Sequence, residues 1–296
     1  MALAQDLKPL EFEEYVDATS LEAGVRALAD GVGTPVAGGT DLWIQKDLGK
    51  RRFGARLVNI RHIFELGGIG ESEGRVRIGA LATVTEILES PFLRRIAPVL
   101  PQAADRFASM QIRNAATVGG NIANASPAAD LVLPLICLDA EVELACWHEE
   151  RIVRRRLPLA AYFTGPGQAQ RRPDELLAAV LFNLPPPDFH AAFHKSGPRP
   201  ALEIARVAMC LAGRREGRRL AAVRLAFGAV APMPVRCPRT EAAIENVALD
   251  DATIARALDS LRREIAPIDD VRGSAWYRRH LACAFLGEEL GRVAQG

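Results

Sequence analysis

The 296-residue chain has only five cysteines, Cys137, Cys146, Cys210, Cys237 and Cys283, and no two of them form a CxxC pair. An odd number of scattered thiols makes no disulfide framework, and zinc or iron–sulfur sites need clustered thiolates. They read as small buried hydrophobes in a reducing compartment, so no metal site is expected in this chain. Charge of one sign is lacking as well. Thirty-seven Lys and Arg against 36 Asp and Glu leave a formal charge of +1, so no global field draws nucleic acid or anionic lipid. The longest apolar runs, such as Leu131–Leu133 and Leu135–Leu138, fall far short of the roughly 20 residues of a bilayer span. MALAQDLKPLEFEE has neither a basic n-region nor an apolar h-region, and the expected location is the cytoplasm. There is no GxGxxG opening a helix, no GxxxxGK(S/T), no HExxH and no GxSxG, which removes the usual dinucleotide, P-loop, zincin and esterase readings. His148-Glu149 stands alone and reads as surface decoration.

What is present is ordinary globular material, 49% hydrophobic and 25% charged. At about 150 residues per domain the length suggests two domains. Thr19-Ser20-Leu21-Glu22 reads as a capping box, followed by Leu21, Val25 and Leu28 at helical spacing, with Gly31 and Gly33 stopping the helix. Leu57–Ile60 reads as a short buried strand, and Val76 and Ile78 alternate with Arg75 and Arg77 in a half-buried one. Thr83-x-x-Glu86 caps a short helix ended by Ser90-Pro91. Leu93 to Phe107 reads as helical with a break at Pro98 and Pro101. Asp130 to Leu138 looks like a buried helix and Glu141 to Ala145 like a strand. Gly165-Pro166-Gly167 and Pro185-Pro186-Pro187 read as loop and linker, which places a domain boundary near Pro185–Asp188. Beyond it, 201–211 and 222–229 read as two long strands joined by the polar turn 214–219, with Val223, Leu225 and Phe227 on one face. Helices over about 251–265 and 274–292 close the chain.

Two glycine pairs carry the chemistry: Ala37-Gly38-Gly39-Thr40-Asp41 and Thr117-Val118-Gly119-Gly120-Asn121. Without a Cβ, backbone N–H groups can approach an anion closely, and Thr or Asn adds further donors. Two such loops suit the two phosphates of a dinucleotide held from opposite sides. Tight turns are the alternative for either loop.

AGGTDL (37–42) and SMQIRNAATVGGNIANASPAAD (109–130) resemble the two motifs of the FAD-binding subunit of molybdenum hydroxylases. That is the medium subunit of carbon monoxide dehydrogenase and of quinoline and nicotinate hydroxylases, and the central domain of xanthine dehydrogenase. Phe12, Tyr15, Ser20–Ala23, Leu57–Ile60, Ile78–Ala80, Asp174–Leu177, Phe193–Lys195, Cys237–Glu241 and Arg272–Arg278 extend the match nearly end to end. The resemblance implies an α+β fold in which two subdomains of the PCMH type (about 1–57 and 58–185) hold FAD. A C-terminal domain, 186–296, of three-stranded antiparallel sheet plus helices follows. It implies that 37–41, led in by Val36, and 117–121 wrap the pyrophosphate, with Ser109 and Asn124 adding hydrogen bonds. Asp130 is placed near the ribityl or ribose hydroxyls, and Phe107, Leu177 and Lys195 beside the isoalloxazine. No side chain is nominated as catalytic, since the chemistry resides in the cofactor.

The implied partners are a small subunit with 2Fe-2S clusters and a large one with the molybdenum cofactor, in a dimer of heterotrimers. Electrons are expected to pass from those clusters through FAD to an external acceptor. Asn121 runs directly to Pro127–Asp130 with no Cys-rich insertion, unlike the aromatic acyl-CoA reductases of the family. Two alternatives are a self-contained FAD reductase similar to the enolpyruvyl-sugar reductases and a flavin-free assembly scaffold.

Overall fold

The computed structural model describes residues 12–197 and 203–295. Its first layer is a parallel sheet of β1 (Glu14–Asp17), β2 (Gly33–Val36) and β3 (Arg56–Asn59), in the order β1-β3-β2. α1 (Leu21–Leu28) connects β1 to β2, and α2 (Leu42–Asp47) follows β2. Leu21, Val25 and Leu28 share one face of α1 and are buried with Val58, Ile63, Leu176 and Ala178. The helix start differs from the expected box by one residue. Ser20, not Thr19, is the N-cap, its Oγ accepting from the Ala23 N–H at 3.1 Å. Glu65, 44 residues further on, accepts from the Leu21 N–H at 3.1 Å, so tertiary structure serves a donor that local sequence was expected to serve.

The central sheet takes β4 (Ile69–Ser72), β5 (Arg75–Gly79), β6 (Glu141–His148) and β7 (Arg151–Pro158). After a ribbon of β8 (Phe163–Gly165) and β9 (Gln168–Ala169), β10 (Leu176–Asn183) enters its middle. The order is β4-β5-β10-β6-β7, antiparallel throughout. β10, LLAAVLFN, is buried from Leu176 to Phe182, as a central strand covered on both faces must be. Seven short helices lie between these strands: α3 (Val84–Glu89), α4 (Pro91–Ile96), α5 (Val99–Asp105), α6 (Met110–Arg113), α7 (Val118–Ala123), α8 (Val132–Cys137) and α9 (Leu159–Tyr162). The Thr83–Glu86 capping box has both its halves in place, and Pro98 is the N-cap of α5, where the break was read.

After residues 184–188, β11 (Phe189–Ser196), β12 (Val207–Glu216) and β13 (Arg219–Gly228) make three long antiparallel strands, with the two-residue β14 (Val235–Arg236) added at the edge. Side chains alternate along β12. Ala208, Cys210 and Ala212 join the central core, while Val207, Met209 and Leu211 face the C-terminal helices with Val223, Leu225 and Phe227. Those helices are α10 (Pro238–Ile244), α11 (Asp251–Glu264) and α12 (Ala275–Gln295). The first hairpin strand begins at Val207 rather than 201 and runs to Glu216, so the turn is only Gly217-Arg218; residues 201 and 202 lie outside the described chain. Gly217, at φ +61°, lets the turn be that tight.

One buried carboxylate ties α12 to this sheet. Glu289 accepts from Nε2 of His190 at 2.9 Å and of His194 at 3.0 Å, two residues on the same face of β11. Burial pushes its carboxyl up, but the two imidazole hydrogen bonds outweigh that and hold it well below the usual carboxylate range. A depressed carboxyl adds stability above its unfolded value of 4.5 and loses it as the pH falls through the folded one. Glu289→Gln is therefore expected to cost about 1–3 kcal/mol at neutral pH. The gap to the unaltered protein begins to narrow as the pH falls below about 4.5 and goes on narrowing down to the depressed folded value. Urea unfolding of both proteins at pH 7 and pH 4 reads this directly; an equal gap at the two pH values contradicts it.

Candidate functional site

A groove runs between the parallel sheet and the central sheet. Residues 33–35, 37–42 and Ile60 line it from one side, and Ala80, Leu81, residues 116–124 in part and 175–177 from the other. It leaves about 1180 Å³ free of protein atoms, open solvent included.

The first glycine pair forms the turn from β2 into α2. Gly39 has φ +67°, and a Cβ there would meet Trp43 Nε1 at 2.8 Å. A Cβ on Gly38 would lie 2.0 Å from the Ala115 carbonyl oxygen, so at this point the first loop rests on the chain leading into the second. Within the described residues, the N–H groups of Ala37, Gly38, Gly39, Thr40 and Asp41 donate to no protein acceptor. Successive unpaired amides in a turn are a cradle for an anion.

The second pair lies within α7 and is built differently from the expectation. Its amides are already used. Val118 N–H donates to Ala82 at 2.9 Å, Gly119 N–H to Ala80 at 2.9 Å and Asn121 N–H to Thr117 at 2.9 Å, all to backbone carbonyls. Gly120 N–H donates to Thr117 Oγ at 3.0 Å, the N-cap bond of α7. What this loop can offer a ligand is side chains: the Thr117 hydroxyl, which still has its own proton to give, and Asn121, whose buried Oδ1 has no protein partner. Asp41 and Asn124 stitch the two loops together. Asp41 Oδ2 accepts from Asn124 Nδ2 at 2.5 Å and from Gln45 Nε2 at 2.6 Å, and Gln45 Nε2 also reaches Asn124 Oδ1 at 2.7 Å.

Of the residues named from the sequence, Ala37, Gly38, Gly39, Thr40, Asp41, Phe107, Thr117, Gly119, Gly120, Asn121, Asn124 and Leu177 line the groove. Five are not among its lining. Val36 ends β2 and its carbonyl accepts from Ile60 N–H at 3.0 Å. Ser109 caps α6, accepting from Ile112 N–H at 3.2 Å, and Val118 is fully buried. Lys195 and Asp130 form an ion pair of 2.6 Å inside the protein. The Lys195 ammonium also donates to the carbonyls of Arg106 at 2.9 Å and Glu203 at 3.1 Å, which uses all three of its protons. Burial pushes the Asp130 carboxyl up to about 6 against the pull of Lys195, and its Oδ1 has no protein partner. An acceptor left over in so dry a place is one that a ligand hydroxyl can satisfy.

Sequence reasoning missed other lining residues, among them Leu42, Arg51, Ala80, Leu81, Arg171 and Glu175. Ala80-Leu81 follow a readable strand and could have been found as its C-terminal end. Nothing in sequence spacing marks Arg51 and Arg171.

The groove fits a dinucleotide: a row of free amides for phosphate, side-chain donors opposite, and the buried Asn121 Oδ1 without a partner. Residues 10–185 match the family model described as the FAD binding domain in molybdopterin dehydrogenase, and residues 191–293 the CO dehydrogenase flavoprotein C-terminal domain. The xanthine dehydrogenase FAD-binding subunit of Escherichia coli O157:H7 is 36% identical over 276 residues, 92% of each chain. The glyceraldehyde dehydrogenase medium chain of Sulfolobus acidocaldarius is 30% identical over 287 residues, 97% of this chain and 99% of that one. Among solved structures, reconstituted CO dehydrogenase from Oligotropha carboxidovorans superposes with a TM-score of 0.89 at 27% identity, over 98% of this chain and 99% of that chain. Quinoline 2-oxidoreductase from Pseudomonas putida 86 gives 0.86 at 25% identity, over 96% and 97%. The chain belongs to the family of FAD-binding medium subunits of molybdenum hydroxylases of the xanthine and carbon monoxide dehydrogenase type; it is an oxidoreductase subunit with FAD as its cofactor.

Proposed function

We propose that this chain is the electron-transfer subunit of such a complex. When bound, FAD supplies the redox step, taking electrons from iron–sulfur clusters of a small partner subunit and giving them to an external acceptor. A large partner subunit with the molybdenum cofactor would carry out hydroxylation, and the assembly would be a dimer of heterotrimers in the cytoplasm. No helix of the described residues is long and apolar enough to cross a membrane, which is compatible with that placement. The division proposed is 1–185, with subdomains of about 1–57 and 58–185, and 186–296.

The observation that carries the reading is the row of unpaired amides at residues 37–41. They would hold the diphosphate, with Thr117, Asn121 and Asn124 adding side-chain hydrogen bonds across the groove. Asp130 Oδ1 would accept from a sugar or ribityl hydroxyl, held in place by Lys195. Phe107 and Leu177 would contact the ring systems. Val36, Ser109 and Val118 would act through the backbone positions that they fix. No side chain of the groove is assigned a proton-transfer role, since the protein's part is to place the cofactor and set its surroundings.

A mononucleotide has one phosphate and gains little from a cradle faced by a second set of donors. Cofactor released by heat is therefore expected to run as FAD on chromatography; FMN would overturn the reading. Affinity capture of the chain from its native cells, followed by mass spectrometry, is expected to bring down an iron–sulfur and a molybdenum subunit. Capture of neither overturns the assembly.

A further inference from the structure

Arg51 and Arg171 line the cofactor groove and also a second depression beside it, whose far wall is the β8–β9 ribbon, residues 164–169. Among the described residues, neither guanidinium is paired with a carboxylate. Arg171 donates only to the carbonyls of Arg172 at 3.1 Å and Glu175 at 2.6 Å. The Arg51 side chain makes no hydrogen bond to the described residues. The carboxylates of the groove are taken elsewhere. Asp41 is held by Gln45 and Asn124, and Glu175 by Arg155 at 2.6 Å and Arg172 at 3.2 Å. Burial works against the Arg51 charge and the neighbouring Arg171 works against it further, while the Asp41 carboxylate favours it; burial prevails. Two half-buried guanidiniums with no carboxylate in ion-pair contact among the described residues are costly. An anion with several acceptor oxygens satisfies both, since guanidinium forks match phosphate oxygens in pairs.

We propose that Arg51 and Arg171 form an anion subsite at the side of the cofactor groove that takes a phosphate-type group. Two sources carry that chemistry: the diphosphate of the cofactor itself, or the phosphate of a separate small molecule seated in the adjoining depression. The depression is walled mainly by the β8–β9 ribbon, with Ala123 at the end of α7, and by neither row of glycine-loop residues, which favours the separate molecule. The subsite goes beyond the flavin assignment and does not depend on it, since flavin content is read from visible absorbance and anion binding from heat.

The test is calorimetric titration of inorganic pyrophosphate into the full chain, both flavin-loaded and flavin-free, unaltered and as Arg51→Gln. Arg51→Gln removes no hydrogen bond, so the fold is retained, and circular dichroism checks this. The flavin-loaded protein is expected to bind pyrophosphate saturably, about tenfold or more weaker in Arg51→Gln. A second outcome also supports the subsite and assigns its source to the cofactor. There, only the flavin-free protein binds pyrophosphate, Arg51→Gln weakens that binding about tenfold, and the variant needs about tenfold more FAD for half-saturation. Pyrophosphate binding absent from both states, or unchanged by Arg51→Gln, overturns the proposal.

Discussion

Gly120→Val is expected to yield a folded protein that has lost most of its flavin. Gly120 sits inside α7, where glycine costs about 1 kcal/mol of helix stability relative to alanine. The protein side gives little reason for that cost, because a Cβ there would meet only Thr117 Oγ, at 3.1 Å. The residue is exposed and lines the groove, so the space a side chain would fill is the ligand's. Obstructing one well-placed charged hydrogen bond costs roughly 1.5–3 kcal/mol, or about 10- to 150-fold in FAD affinity. The apoprotein should change by less than about 1 kcal/mol, since Gly120 keeps helical backbone and its amide keeps Thr117 as acceptor. Fluorimetric FAD titration beside thermal unfolding separates the two. Full flavin occupancy in the variant would show that Gly120 belongs to a plain helix start.

Gly38→Val should behave differently and lose both stability and cofactor. Its Cβ would stand 2.0 Å from the Ala115 carbonyl oxygen and 2.7 Å from the carbonyl carbon, and backbone cannot swing aside as a side chain does. Relief requires the first loop to lift away from the segment entering α7. That pulls on the Asp41–Asn124–Gln45 bonds that join the two loops. Overpacking of this kind costs about 1–3 kcal/mol or more, and the unpaired amides of 37–41 lose their aim at the same time. The same pair of assays applies. A Gly38 variant with unaltered melting temperature and flavin content would mean that the contact between the loops is not needed.

Both loops were legible as glycine pairs, but their different construction was not. Sequence shows that a Cβ is missing, not what the missing Cβ would touch. Gly38 serves backbone-to-backbone contact, Gly39 a left-handed turn and Gly120 an open groove, and all three look alike in the string. Local signals read well where their partners are local. Thr83 and Glu86 cap α3 as read, and the apolar stripe of α1 faces the core. They misread where a partner arrives from elsewhere, as when Glu65 reaches the start of α1 and moves its cap to Ser20.

The same physics hides the pairing of Lys195 with Asp130, 65 residues earlier, which no local pattern announces. β7, RIVRRRLP, shows no apolar alternation because it is an edge strand whose arginines are answered from neighbouring strands. Arg154 and Arg156 meet Glu143 of β6 at 2.6 and 2.9 Å. β11 was passed over next to a proline run, although Phe189, Ala191 and Phe193 alternate with His190 and His194. Its histidines gain meaning only against Glu289, almost 100 residues on.

The central claim is that this chain holds FAD and moves electrons, while substrate is oxidised elsewhere. Its most direct test is anaerobic spectroscopy of the flavin-loaded chain, alone and reassembled with its iron–sulfur and molybdenum subunits, with the acceptor withheld. Dithionite should bleach the flavin absorbance in both samples. A heteroaromatic, aldehyde or CO substrate of the complex should bleach it only in the reassembled one, because this chain has no clustered metal ligands among its described residues. Substrate-driven bleaching of the lone chain, free of partners and metals and as fast as in the complex, would contradict the account.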